Sequence, residues 1–182
     1  MNRLQLIVTI GLSSILFTAC NQNQDAKDTA DSKDSLSATS IADEKSVEFK
    51  DVLIDSAYAS YISLKNALVA SDVSVAQKAA SDLSKSLDQI KGCQNTADIA
   101  GRISGASALD EQRKEFTALS DDLIALIKHA DVKEGTTYVQ YCPMANSGKG
   151  GYWMASSNEI RNPYYGDEML NCGEVKEEIT SK

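Results

Sequence analysis

The sequence is poor in the residue types on which common enzyme sites depend. It contains one histidine, one tryptophan and two prolines among its 182 residues. A single histidine leaves no convincing His-based catalytic triad, and no helix carries the paired carboxylates and histidines of a di-iron bundle site. No Cys-x-x-Cys pair, metal-hydrolase motif or nucleotide-binding motif occurs. We therefore predict that the protein is not an enzyme.

Positive charge is also scarce. The chain has 18 Lys and Arg residues against 26 Asp and Glu residues, which gives a formal net charge of −8 at pH 7. Such a chain offers no broad basic surface, so nucleic acid is excluded from the expected partners. The acidic balance mainly favours solubility.

The chain has only one long apolar run, and it lies at the start. Residues 4–19, after Arg3, are uncharged and largely apolar, as in a signal peptide. They end in Leu-Phe-Thr-Ala directly before Cys20, which resembles a bacterial lipoprotein signal, whose cysteine is acylated and becomes the new N-terminus. We expect residues 1–19 to be that signal and Cys20 to carry the lipid that anchors the protein to a membrane of the cell envelope, facing the periplasm or the cell surface. The alternative is an uncleaved anchor, although the run is short of the ~20 residues that a span needs.

The next segment has almost no large apolar side chain. Residues 20–45 consist mainly of Asp, Ser, Ala, Thr and Lys. A segment of this composition cannot bury enough surface to offset the entropy lost on ordering. We predict that residues 20–45 are a disordered tether.

The central part of the chain has the periodicity of amphipathic helices. Apolar residues recur there at spacings of three and four, which predicts three long helices and one shorter, weaker helix. They run from about Lys45 to Ala70, Val73 to Ile90, Thr96 to Ser104 and Leu109 to His129. Asp72 is the expected N-cap of the second helix. The short connections predict an antiparallel bundle of three to four helices over residues 46–130.

The periodicity changes in residues 131–182. Thr136–Tyr141 is rich in β-branched and aromatic residues and predicts a strand, and Tyr152–Met154 is a second candidate strand. We expect a mainly α fold in which the bundle is followed by this small β/loop module, with the two packed as one domain.

Two pairs of sulfur-containing residues bracket the module. Cys142 and Met144 are two apart across Pro143, which stiffens the chain between them. Met169 and Cys172 are three apart, which places them on one face if that segment is helical. Two thiolates and two thioethers would select a soft ion such as Cu(I) or Ag(I). Zinc rarely takes methionine and would need other ligands.

The same two cysteines could instead form a disulfide, and this alternative stays open. In an exported protein Cys20 would carry lipid, so Cys93, Cys142 and Cys172 remain and at most two of them can pair. A Cys142–Cys172 bond would close a loop of about 30 residues and stabilise the fold by about 3–4 kcal/mol. The methionines would then fill gaps in the core. We expect Cys93 to be a free or buried thiol, with a disulfide to one of the other two as the rival.

Further residues are candidates for a supporting role. His129 ends the last predicted helix and is a candidate extra ligand, although a helix C-terminus favours its protonated form. The aromatic and turn residues of the module are expected to set the distance between the two sulfur pairs. They are Pro143, Trp153, Asn162, Pro163, Tyr164 and Gly166.

The module carries four short motifs. They are Tyr-Cys-Pro-Met-Ala at 141–145, Gly151-x-Trp153, Ile160-x-Asn162-Pro163-Tyr164-x-Gly166 and Met169-Leu170-x-Cys172-Gly173. Together with the upstream helices, these motifs resemble a family of bacterial envelope proteins catalogued as a domain of unknown function. The resemblance covers about residues 50 to 175. That family occurs as small lipoproteins and as a C-terminal extension of adaptor subunits of copper/silver efflux pumps.

The resemblance implies a periplasmic metal-binding domain with a heavy-metal efflux system as its partner. We therefore expect a lipid-anchored protein that sequesters Cu(I) or hands it over, with Cys142, Met144, Met169 and Cys172 as ligands. The alternative is a structural or interaction lipoprotein stapled by a Cys142–Cys172 disulfide. The sulfur geometry distinguishes the two, because cysteines with Cα atoms more than ~7 Å apart cannot be bridged without backbone movement.

Overall fold

The structure is a computed structural model that describes residues 46–181. The predicted signal, Cys20 and the predicted tether lie outside the described residues. Within these residues four long helices follow one another: α1 (Val52–Val69), α2 (Val73–Asp88), α3 (Gln94–Gly105) and α4 (Leu109–Lys128). The predicted mainly α fold with a helical bundle is therefore confirmed. Among the described helices, none has both the length and the apolar character needed to cross a membrane.

The helix boundaries follow from capping side chains. Asp72 accepts a hydrogen bond from the Val75 N–H at 2.9 Å and starts α2, as its sequence position predicts. Asp51 does the same for α1 by accepting from the Leu53 N–H at 2.9 Å. The first helix therefore begins at Val52, seven residues later than the periodicity predicts.

Successive helices pack against one another around one core. Small side chains let α2 approach its neighbours closely, because Ala76, Ala79 and Ala80 are buried on it. The large apolar residues of the bundle fill the space between the helices. They include Leu64, Leu68, Leu83, Leu87, Ile103, Phe116, Leu119, Leu123 and Ile127, all fully or almost fully buried.

In the described part of the chain, five strands form two small sheets. A two-stranded antiparallel sheet pairs β1 (Glu48–Phe49) with β2 (Val132–Glu134). A three-stranded antiparallel sheet has the order β4-β3-β5. Its strands are β3 (Thr136–Cys142), β4 (Gly151–Ala155) and β5 (Glu174–Thr180). The two predicted strands are confirmed as β3 and β4, and each is slightly longer than predicted.

Two buried tyrosine hydroxyls occupy the outer edge of β4. The Met154 N–H donates to the Tyr61 hydroxyl of α1 at 3.1 Å, and Tyr61 also shares a 2.8 Å hydrogen bond with Ser120 of α4. The Tyr164 hydroxyl donates to the Tyr152 carbonyl at 2.7 Å. Burial raises the pKa of both tyrosines, so they stay protonated. Tyr61 thereby joins the sheet to the bundle, and both hydroxyls bind backbone groups that an edge strand would otherwise leave unpaired.

Arg113 of α4 makes a second connection between the bundle and the module. Its Nε donates to the Pro163 carbonyl at 3.0 Å, and its Nη2 donates to the Leu68 carbonyl at 3.1 Å and the Ser71 hydroxyl at 3.0 Å. Gly166 fits against the same place with φ +58, and a Cβ there would lie 2.7 Å from Ser71 Oγ. The turn that follows Pro163 is therefore fixed to the C-terminal end of α1.

Candidate dithiol site

Strand pairing brings the two predicted cysteines together. Cys142 is the last residue of β3 and is fully buried. Cys172 lies two residues before β5, and β5 pairs with β3 so that Glu174 is opposite Tyr141. The two Sγ atoms are consequently 2.7 Å apart, without a bond between them. We call this pair the dithiol.

The Sγ–Sγ distance can be compared with the distance expected for a disulfide and the distance expected for two sulfurs bound to one metal ion. A disulfide bond is ~2.05 Å long. Two sulfurs bound to one tetrahedral ion at ~2.3 Å each would be about 3.8 Å apart. The observed 2.7 Å is closer to the first value. A disulfide is therefore within reach, and binding an ion requires the sulfurs to separate by about 1 Å.

Asn162 holds the turn that carries Cys172. It is fully buried, and its side-chain Nδ2 donates to the Cys172 carbonyl at 2.9 Å while Oδ1 accepts from the Tyr164 N–H at 2.8 Å. Its backbone N–H donates to the Leu170 carbonyl at 2.8 Å, and its carbonyl accepts from the Gly166 N–H at 3.0 Å. One side chain and its own backbone thus fix the segment leading to Cys172.

The Trp153 side chain packs against the turn that carries Cys172. It is fully buried, and its ring meets that of Tyr164 edge-on with centroids 6.0 Å apart. Gly173 has φ +150, and a Cβ at this residue would lie 2.8 Å from the Trp153 ring. The residue after Cys172 therefore has to be glycine for the turn to lie against the indole.

The two methionines are both adjacent to Cys172 through their backbones. The Met144 backbone lowers the pKa of the Cys172 thiol, and the Met144 carbonyl accepts from the Tyr165 hydroxyl at 2.6 Å. The Met144 side chain is 50% exposed. The Met169 carbonyl accepts from the Cys172 N–H at 3.0 Å, in a turn rather than a helix, because Met169 has φ −147. The helical face expected for Met169 and Cys172 is therefore not formed.

The environment of Cys172 keeps it protonated at neutral pH. Its hydrogen bond with Cys142, together with burial and the charge of a Cys142 thiolate, raises the pKa of the Cys172 thiol to about 11. The Met144 backbone acts in the opposite direction, because it stabilises a thiolate. An ion or an oxidant that reacts with the dithiol must therefore displace a proton.

His129 and Cys93 lie away from the dithiol. His129 is exposed at the C-cap of α4. Thr117 of the same helix hydrogen bonds to Asn146, just after Cys142, and His129 is twelve residues further along, about 18 Å on the helix axis. Cys93 is the N-cap residue of α3, where burial and Asp122 raise its pKa. The structure does not bring either residue to the predicted metal site.

Residues 46–181 contain no preformed cluster of several metal-binding side chains. No group of three or more His, Cys, Asp or Glu side chains there is placed to hold a metal ion. The dithiol supplies two such side chains, and both are soft sulfur donors.

The helices carry the similarity to known proteins. Residues 57–135 match a DUF3347 domain, a family described as a protein of unknown function. The match extends from α1 to the residue before β3, so it leaves out both cysteines of the dithiol and both nearby methionines. No curated protein and no solved structure matches the chain.

Two supporting residues were not predicted from the sequence. Tyr61 and Arg113 fall on apolar stripes of their helices, and both use polar atoms to hold the module. The signal for Arg113 is a charged side chain at a stripe position, four residues after Leu109. A side chain that ends in a polar group, within the apolar stripe of a helix, therefore indicates where the bundle contacts the module.

Proposed function

We propose that this chain is a bacterial envelope protein that holds a soft metal ion, Cu(I) or Ag(I), at the dithiol. The observation that carries the proposal is the adjacency of Cys142 and Cys172 on a turn fixed by Asn162. Thiolates are the preferred ligands of Cu(I), and two of them on one site bind it far more strongly than either alone. The ion would be held for sequestration or for hand-over to a heavy-metal efflux system.

The fit of the site to the ion depends on a small movement. Cys142 is set in the central strand of the sheet, whereas Cys172 lies on a partly exposed turn. Separation of the sulfurs by about 1 Å would therefore come from the Cys172 side. Met144 and Met169 adjoin Cys172 and are the candidate thioether donors. His129 has no place in this ligand set.

The cellular setting is part of the same proposal. Cys20 would carry the lipid, and the acidic chain would face the periplasm or the cell surface. Its partners would be the membrane and an efflux system, and no nucleic acid or catalytic activity is expected.

Cu(I) binding is tested by titrating the fully reduced chain against a chromogenic Cu(I) chelator of known affinity. We expect the chain to withdraw one Cu(I) per molecule. Replacement of both cysteines, Cys142→Ser with Cys172→Ser, should lower the affinity by at least about 100-fold, because loss of supporting groups alone costs 10–100-fold. Met144→Leu and Met169→Leu should each cost about tenfold.

Cys93→Ser is the matched control, since it removes a thiol from the bundle and leaves the dithiol intact. It should retain the full stoichiometry. A reduced wild-type chain that withdraws no Cu(I) from the chelator contradicts the proposal.

A second candidate function follows from the 2.7 Å sulfur separation. In this alternative the dithiol is a permanent disulfide, and the chain is a structural or interaction lipoprotein. Cells would be quenched with an alkylating agent in the absence of reductant, and the protein analysed by mass spectrometry. The second candidate predicts that Cys142 and Cys172 are quantitatively bonded and that Cys93 alone is alkylated. The metal-binding function predicts a population in which both residues of the dithiol are alkylated after the metal is removed with acid.

A further inference from the structure

The dithiol is arranged so that its two sulfurs can lose electrons together. Their separation of 2.7 Å means that a sulfur that has given up one electron already faces its bonding partner. A bond between the residues would join the end of β3 to the turn fixed by Asn162. Once that bond forms, neither sulfur remains as a thiolate ligand.

Solvent reaches the dithiol from one side. Cys142 is fully buried, but Cys172 is partly exposed and the neighbouring Pro143 and Met144 are exposed. A small hydrated ion can therefore reach the Cys172 sulfur without opening the bundle.

The third cysteine of the described chain provides a contrast. Cys93 caps α3 in the bundle and is a single thiol. Among residues 46–181 it has no neighbouring sulfur with which to close a bond. In this part of the chain, chemistry that needs two adjacent sulfurs therefore belongs to the dithiol.

We propose that Cu(II) is a reactant at the dithiol rather than a ligand. One reduced chain reduces two Cu(II) ions to two Cu(I) ions and closes as the Cys142–Cys172 disulfide. Each sulfur gives up one electron, two S–H bonds break, one S–S bond forms, and two protons are released. This inference rests on the proposed function, in that copper must reach the site, and it adds that the oxidation state of the arriving ion decides the outcome. Cu(I) binds to the dithiol, whereas Cu(II) oxidises the dithiol to a disulfide.

The test uses the full chain with Cys20→Ser and Cys93→Ser, so that only the dithiol can react. The reduced protein is mixed with excess Cu(II) and a Cu(I)-specific chromogenic chelator without oxygen. We expect two Cu(I) per chain, a mass loss of two hydrogens, and a product that stays monomeric on a non-reducing gel.

The control adds Cys172→Ser to the same background, because this residue is partly exposed and tolerates a polar replacement better than buried Cys142. It should give at most one Cu(I) per chain and react more slowly than the dithiol, because the remaining Cys142 thiol is buried and has no second thiol beside it. Circular dichroism confirms that the control is folded. A reduced dithiol that binds Cu(II) with both thiols intact, or a control that reacts as fast as the dithiol, overturns the inference.

The result separates this inference from the proposed function. A chain that withdraws Cu(I) from the chelator yet does not reduce Cu(II) overturns the inference alone. A chain that reduces Cu(II) yet does not withdraw Cu(I) overturns the proposed function alone.

Discussion

Oxidation of the dithiol is expected to raise the free energy of unfolding by about 3–4 kcal/mol. Cys142 and Cys172 are separated by 30 residues, and closing a loop of that length removes conformational entropy from the unfolded chain. In the folded chain the two Sγ atoms already lie 2.7 Å apart. Urea unfolding of the oxidised and the reduced chain, followed by circular dichroism, measures the difference.

The matched controls show whether the change in stability comes from the dithiol or from Cys93. The Cys142→Ser with Cys172→Ser chain should unfold at the same urea concentration with and without oxidant, whereas Cys93→Ser should respond as the wild type does. Oxidised and reduced wild-type chains that differ by less than about 1 kcal/mol would show that the loop is not closed by these residues.

Replacement of Trp153 by alanine is expected to lower the free energy of unfolding by about 3–5 kcal/mol. The side chain is fully buried, and it fills the space between Tyr164 and the turn at Gly173. Its removal leaves a cavity under the turn that carries Cys172. Urea unfolding of the reduced variant gives the loss, with circular dichroism as the signal because Trp153 is the only tryptophan.

Trp153→Phe is the control for this second prediction. It keeps an aromatic ring in the cavity and removes an indole N–H that is buried without a hydrogen-bond partner. Because that unpaired group already costs free energy, the loss should be clearly smaller, about 1–2 kcal/mol. A Trp153→Ala variant that is no less stable than Trp153→Phe would refute the assigned packing role.

The sequence was informative wherever the structure depends on local interactions. The four helices have apolar stripes of their own, and Asp72 caps α2 through a residue only three positions away. The start of α1 could not be placed, because Glu48–Phe49 pairs with Val132–Glu134, which follows the last long helix in the chain. Pairing between segments so far apart leaves no periodic signal in either.

The sequence predicts which residues belong to the candidate site but not the distances between them. Cys142 and Cys172 were expected to meet, but their separation depends on the register of β5. That strand has the sequence EVKEEIT, whose charges hide the alternation typical of a strand. The position of His129 relative to the module depends on how α4 lies on β4. Both are products of tertiary packing, which spacing in the chain does not encode.

The hydroxyls of Tyr61 and Tyr164 have a consequence for how copies of this chain behave at high concentration. They close one side of the three-stranded sheet to strand addition, because they occupy a donor and an acceptor on β4 that another copy would need. The opposite side is β5, whose seven residues include three glutamates and a lysine. Like charges on that side repel a second copy in the same register. Crowded chains should therefore stay separate rather than polymerise through this sheet.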